Sequence, residues 1–114
     1  MTKTHTVSIR EVDRNFFKAI KDGTKITETR AATEKYRAIK EGDILDFVCG
    51  KDHVQKKVVG VKLFRTVEEM AGELGIKQIM PFVNSLEEMK QIYYSFPNYK
   101  EKIEEFGLVV FELE

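Results

Sequence analysis

Apolar residues recur along this chain in two rhythms. Between residues 4 and 10 they alternate, with Val7 and Ile9 set against Thr6, Ser8 and Arg10, which predicts a half-buried strand. From Phe16 the period lengthens. Phe16, Phe17 and Ile20 fall at helical spacing, Lys18 and Lys21 sit where the helix macrodipole favours cations, and Gly23 supplies a left-handed cap. Lys25–Ala31 reads as extended again, and Thr33–Lys40, polar and charged around Tyr36, as a long connection, a loop or a loose turn of helix. Glu41-Gly42-Asp43 is a tight turn into Ile44–Cys49, a buried strand apolar on both faces. Gly50-Lys51-Asp52 is a hairpin signal that returns the chain as Val54–Phe64, and Gly60 marks a bulge or bend within it.

Two helices then open on the same signal, a hydroxyl followed three residues later by glutamate: Thr66 with Glu69, and Ser85 with Glu88. Val67, Met70 and Leu74 form the stripe of the first, which stops at Gly75. Leu86, Met89, Tyr93 and Phe96 share a face of the second until Pro97 ends it. Tyr99, Ile103 and Phe106 suggest a further short helix closed by Gly107, and Leu108–Leu113 is the last strand. Hairpin-linked strands in the order β-α-β-β-β-α-α-(α)-β exclude a doubly wound parallel sheet. They predict an α+β fold, one domain over residues 1–114: a small, mostly antiparallel β-barrel or strongly curved sheet with helices packed around it. Phe16, Phe17, Leu86 and Met89 are expected to face inward.

Composition narrows the function more than the fold. Nineteen basic and nineteen acidic residues cancel in 114. That balance argues against a large electrostatic footprint on duplex nucleic acid, so RNA would be gripped through a few nucleotides in a pocket. The single Cys49 permits no internal disulfide and suits a reducing compartment. Neither a secretory leader nor a bilayer-length apolar run is present, so a cytoplasmic protein, acting as a monomer and without a membrane partner, is expected. Isolated His5 and His53 and the lone cysteine give no metal-ligand spacing, and no phosphate loop, nucleophile elbow or other cofactor motif appears. Neither metal nor cofactor is expected.

The chemistry left over is concentrated in Gly23-Thr24-Lys25-Ile26-Thr27-Glu28-Thr29-Arg30. On a strand Glu28 and Arg30 share a face, and the turn after Gly23 can swing Lys25 toward the same mouth. Read plainly, Glu28–Arg30 is a surface ion pair worth about 0–1 kcal/mol. Read as a site, a lysine, a carboxylate and an arginine suit a polar planar ligand carrying phosphate: a guanidinium fork for phosphate or a base edge, a carboxylate for an exocyclic amine, and a mobile ammonium. Tyr36, Tyr94 and Tyr99 are candidate stacking faces.

This Gly-x-Lys-x-x-Glu-x-Arg stretch resembles the signature of the ASCH family. The likeness continues through Gly42-Asp43-Ile44-Leu45-Asp46-Phe47, Phe96-Pro97-Asn98-Tyr99 and Phe106-Gly107-Leu108-Val109-Val110-Phe111. The resemblance implies a PUA-like β-barrel and a link to RNA, with Lys25, Glu28 and Arg30 in the ligand cleft. Some small family members are amidohydrolases that release acetate from a modified cytidine, using the signature lysine, a threonine and a distant glutamate. Here Glu28 stands where that branch has its threonine, and Thr27 and Thr29 fall on the opposite strand face. A carboxylate does not replace a hydroxyl nucleophile without a change of mechanism, so binding rather than hydrolysis is the reading the residues favour. Were the protein an enzyme after all, Lys25 and Glu28 would be its catalytic candidates. A single-strand ribonuclease activity described for another member has no equivalent residues that can be picked out here.

Overall fold

The computed structural model describes residues 2–114. A strand β1 (Thr4–Ser8) leads through a single 3-10 turn, Glu11–Asp13, into helix α1 (Arg14–Asp22). Gly23 ends this helix at φ 86°. Then come β2 (Thr27–Ala31), a one-turn helix α2 (Glu34–Arg37) and the hairpin β3 (Ile44–Cys49) and β4 (Asp52–Phe64). Four helices follow before the closing strand: α3 (Val67–Leu74), α4 (Ile76–Ile79), α5 (Leu86–Tyr94), α6 (Tyr99–Phe106) and finally β5 (Leu108–Leu113). Both hydroxyl N-caps form: Thr66 accepts from the Glu69 N–H at 3.1 Å and Ser85 from the Glu88 N–H at 3.2 Å. The turn α2 lies inside the segment expected as a loop or a loose turn of helix, while α4, also four residues long, has no clear periodic signal.

The sheet has five strands in the order β1-β3-β4-β5-β2. Three pairings are antiparallel, while β1 runs parallel to β3. The architecture is therefore α+β with a mixed sheet, and the barrel expected from the sequence is not closed. β4 explains the curl. Its first half pairs with β3 and its second half with β5, with a register shift between Val58 and Gly60 that bends the strand. The edge strands β1 and β2 consequently approach one another without a ladder between them. A side chain spans the gap instead, the Arg30 Nη2 donating to the Ser8 carbonyl at 3.2 Å.

Each face of the sheet carries its own core. Val7, Phe17, Ile20, Phe47, Val58 and Phe111 pack on one, and Met70, Ile79, Met89, Tyr93, Ile103 and Val110 on the other. β5 serves both, with five of its six residues buried. Gly107, which admits the chain into β5, has φ 77°, and a Cβ there would lie 2.6 Å from the Phe64 carbonyl oxygen, so glycine alone fits. Among the described residues, no helix is long and apolar enough to cross a membrane.

Candidate functional site

A cleft of about 190 Å³ opens where the sheet fails to close, bounded by the end of β1, the β2 edge and helices α1, α5 and α6. Lys25, in the turn that the Gly23 cap creates, is 4% exposed, and Glu28 on β2 is 7% exposed. The Lys25 ammonium donates to the Thr27 carbonyl and, at 3.0 Å, to Glu28 Oε1. Glu28 Oε2 accepts from Arg30 Nε at 2.9 Å and Nη2 at 2.7 Å. The Arg30 Nη1 reaches the Tyr36 hydroxyl at 3.4 Å, with the guanidinium 5.6 Å above that ring. Two cations thus flank one carboxylate, and the buried trio carries a net positive charge.

Burial is the largest single influence on the Glu28 carboxyl and pushes its pKa up. The charges of Lys25 and Arg30, with their hydrogen bonds, outweigh it and hold the group below the usual carboxylate range. Burial likewise opposes the charge on Arg30, yet the Glu28 carboxylate keeps the guanidinium more firmly protonated than usual. Because the Nε–Nη2 fork is spent on Glu28, it is not open to a phosphate. The ammonium of Lys25 has three N–H groups and uses two.

Thr29 and Tyr93 share a hydroxyl–hydroxyl hydrogen bond beside the trio, and burial pushes the Tyr93 hydroxyl well up from its ordinary value. The walls are aromatic. Phe96 meets Tyr93 and Tyr99 edge to face, with ring centroids 6.4 Å and 5.2 Å apart. Arg10, paired with Asp13 at 2.8 Å, lies 5.0 Å over Phe96 at the mouth. Among the described residues, no group of three or more His, Cys, Asp or Glu gathers as for a metal.

Of the candidates picked from the sequence, Lys25, Glu28, Arg30 and Tyr99 meet at this cleft. Tyr36 stands behind Arg30 rather than in the lining. Tyr94 is placed elsewhere: 40% exposed on the outer side of α5, with the Lys100 ammonium 5.9 Å from its ring. Tyr93, Thr29, Phe16 and Phe96 line the cleft without having been offered as ligand contacts. Tyr93 carried a signal, since it belongs to the inward stripe with Leu86 and Met89. Thr29 does turn its side chain to the opposite face from Glu28, but at an edge strand both faces reach the same opening.

Fold and site together define a small PUA-like α+β domain with a cleft walled by aromatic rings over a buried ion cluster. The chain belongs to the ASCH family: the family model, described as ASCH domain, matches residues 11–114. Among solved structures it is similar to the crystal structure of the hypothetical protein PH0355, with TM-score 0.82, 32% identity and coverage of 100% of this chain and 98% of that one. It is also similar to the solution NMR structure of protein PF0455 from Pyrococcus furiosus, with TM-score 0.77, 31% identity and coverage of 97% and 96%. No curated protein matches the sequence.

Proposed function

We propose that the protein binds RNA, or a small nucleotide-like ligand, by taking one unpaired base into the cleft between β1 and β2. The observation that carries this reading is the net-positive Lys25–Glu28–Arg30 cluster beneath walls of Phe16, Phe96 and Tyr99. A planar ring gains stacking from the walls, worth about 1–3 kcal/mol per base. An acceptor on that ring, or a nearby phosphate, meets the unused Lys25 N–H. Arg30 acts through Glu28, fixing the carboxylate that in turn aims Lys25. The general association of ASCH domains with RNA supports the same reading.

A fluorescent 12-nucleotide single-stranded RNA of mixed sequence tests it. Lys25→Met and Tyr99→Ala, checked for intact fold by circular dichroism, should each weaken binding by roughly 1–3 kcal/mol. Lys57→Ala, on the exposed side of β4, should leave it unchanged. The logarithm of affinity should fall gently with log salt, at about −0.7 per neutralised phosphate. If both cleft variants bind like the wild type, or if the slope is steep, RNA does not use this cleft.

A further inference from the structure

The second half of β4 has a free edge. The ladder to β3 ends at the Ile44–Lys57 pair, and the Val58 N–H and carbonyl are taken by Asp43 and Gly42. Beyond the bulge only β5 pairs with it. The Leu113–Ile26 and Ala32–Gly107 hydrogen bonds set which β5 residues turn their main-chain groups toward β2. Glu112, Val110 and Leu108 therefore turn theirs toward β4, where they meet Gly60, Lys62 and Phe64. Val61 and Leu63 point their N–H and carbonyl groups the other way, and among the described residues no main-chain group receives them.

An open strand edge is ordinarily blunted by charge, by proline or by a covering element. Here most of the row is apolar, with Val59, Val61 and Leu63 at 37%, 38% and 55% exposure. Val61 and Leu63 stand on one face of the strand, and Gly60 and Lys62 on the other. On that second face the Glu112 side chain lies across Gly60, so closely that a Cβ there would collide with Oε1. Neither Glu112 nor Lys62 belongs to an ion pair among the described residues. One short edge thus carries unused main-chain groups, an apolar row, an acid and a base.

Under a two-fold axis that edge is its own complement. We propose that two copies of the chain pair antiparallel through residues 59–63, about an axis at Val61, and join their sheets into one. Val61 exchanges both main-chain bonds with Val61 of the second copy. Leu63 lies opposite Val59 of the second copy, which merges the apolar rows. Lys62 lies opposite Gly60 of the second copy, where no side chain blocks it and the Glu112 carboxylate is close by. Symmetry forms that ion pair twice. A slip of two residues, pairing Val61 with Leu63, would set Lys62 directly against Lys62, and like charges so placed are destabilising. The cleft lies on the far side of β5 and stays open, so the pairing is independent of the nucleotide-binding reading. It departs from the monomer expected from the sequence.

Sedimentation equilibrium at rising protein concentration should give a mass that climbs from the 13.2 kDa of one chain toward twice that value. Val61→Lys, at an exposed side chain, should keep the circular dichroism spectrum and weaken association at least about tenfold. Lys62→Glu and Glu112→Lys should each weaken it as well, the first setting acid against acid and the second base against base. Mixing these two variants in equal amounts should restore the dimer, because both cross-pairs are then opposite in sign. An ion pair within one chain could not be rescued by mixing. A mass that stays at one chain throughout, a dimer indifferent to Val61→Lys, or a mixture that associates no better than either variant alone overturns the proposal.

Discussion

Two ion clusters in this molecule are mirror images in charge and opposites in setting. In one, Glu28 lies between Lys25 and Arg30, whose side chains are 4% and 18% exposed, with Glu28 itself at 9%. In the other, Arg14 lies between Glu11 and Asp52, at 30%, 64% and 55% exposure, with Arg14 also donating to the Cys49 carbonyl at 3.1 Å. From the sequence, the Glu28–Arg30 part of the first reads plainly as a surface salt bridge, which is what the second is. Solvent makes the difference. Water screens each charge of the Arg14 cluster, so losing one partner strands nothing. Around Glu28 little water reaches the charges, and each depends largely on the others for its compensation.

The largest expected effect follows from removing the central group of each cluster. Glu28→Gln leaves Lys25 and Arg30 facing each other without a counter-charge and should cost about 3–5 kcal/mol of stability in urea unfolding, the range for breaking a buried pair. A loss below about 1 kcal/mol would mean that water reaches the cluster and that the contrast is false.

Acid should sharpen the comparison next. A carboxyl held low in the folded state stabilises at a pH above its ordinary pKa, and that contribution disappears as pH falls through the depressed value. For Glu28 the stabilisation is full near neutrality and lost under acid conditions, below the normal carboxylate range of about 4. Asp43 adds to the same trend. The His5 hydrogen bond first, then the Lys40 and Lys3 N–H groups, bring it to about 2, so its share is lost between about pH 4 and 2. The fall in urea midpoint from pH 6 to pH 3 should be shallower for Glu28→Gln than for the wild type. Asp52→Asn should track the wild type, since screening discounts its depressed pKa. Parallel curves for all three proteins would remove Glu28 from the account.

The smallest effect is expected at the exposed cluster. Arg14→Ala should leave the thermal midpoint where it is, within the scatter of repeated melts. A clear drop would show that the Arg14 hydrogen bond to the Cys49 carbonyl holds the α1–β3 contact together, and that exposure alone does not sort the two clusters.

What could be read from the residues was whatever depends on neighbours in the chain. The alternation around Val7, the stripe of Phe17 and Ile20, the Gly23 cap, the Gly50 turn and the two hydroxyl N-caps are all local, and each appears where the pattern put it. Lys25, Glu28 and Arg30 also came together as their spacing allowed, because a turn and five strand residues fix their relation. Long-range matters were not legible. Alternation says that residues 4–8 form a strand but not that β3 is its parallel partner, nor that β1 and β2 stop short of closing a barrel. Burial is a tertiary quantity too, which is why an apparent surface pair turned out to be an enclosed charge cluster. The choice of Tyr93 over Tyr94 turned on about 100° of helix rotation against a core assembled from α3, α5 and β5. The free edge at Val61 has no signature in the sequence at all, because an unpaired amide is defined by the strand that is missing beside it.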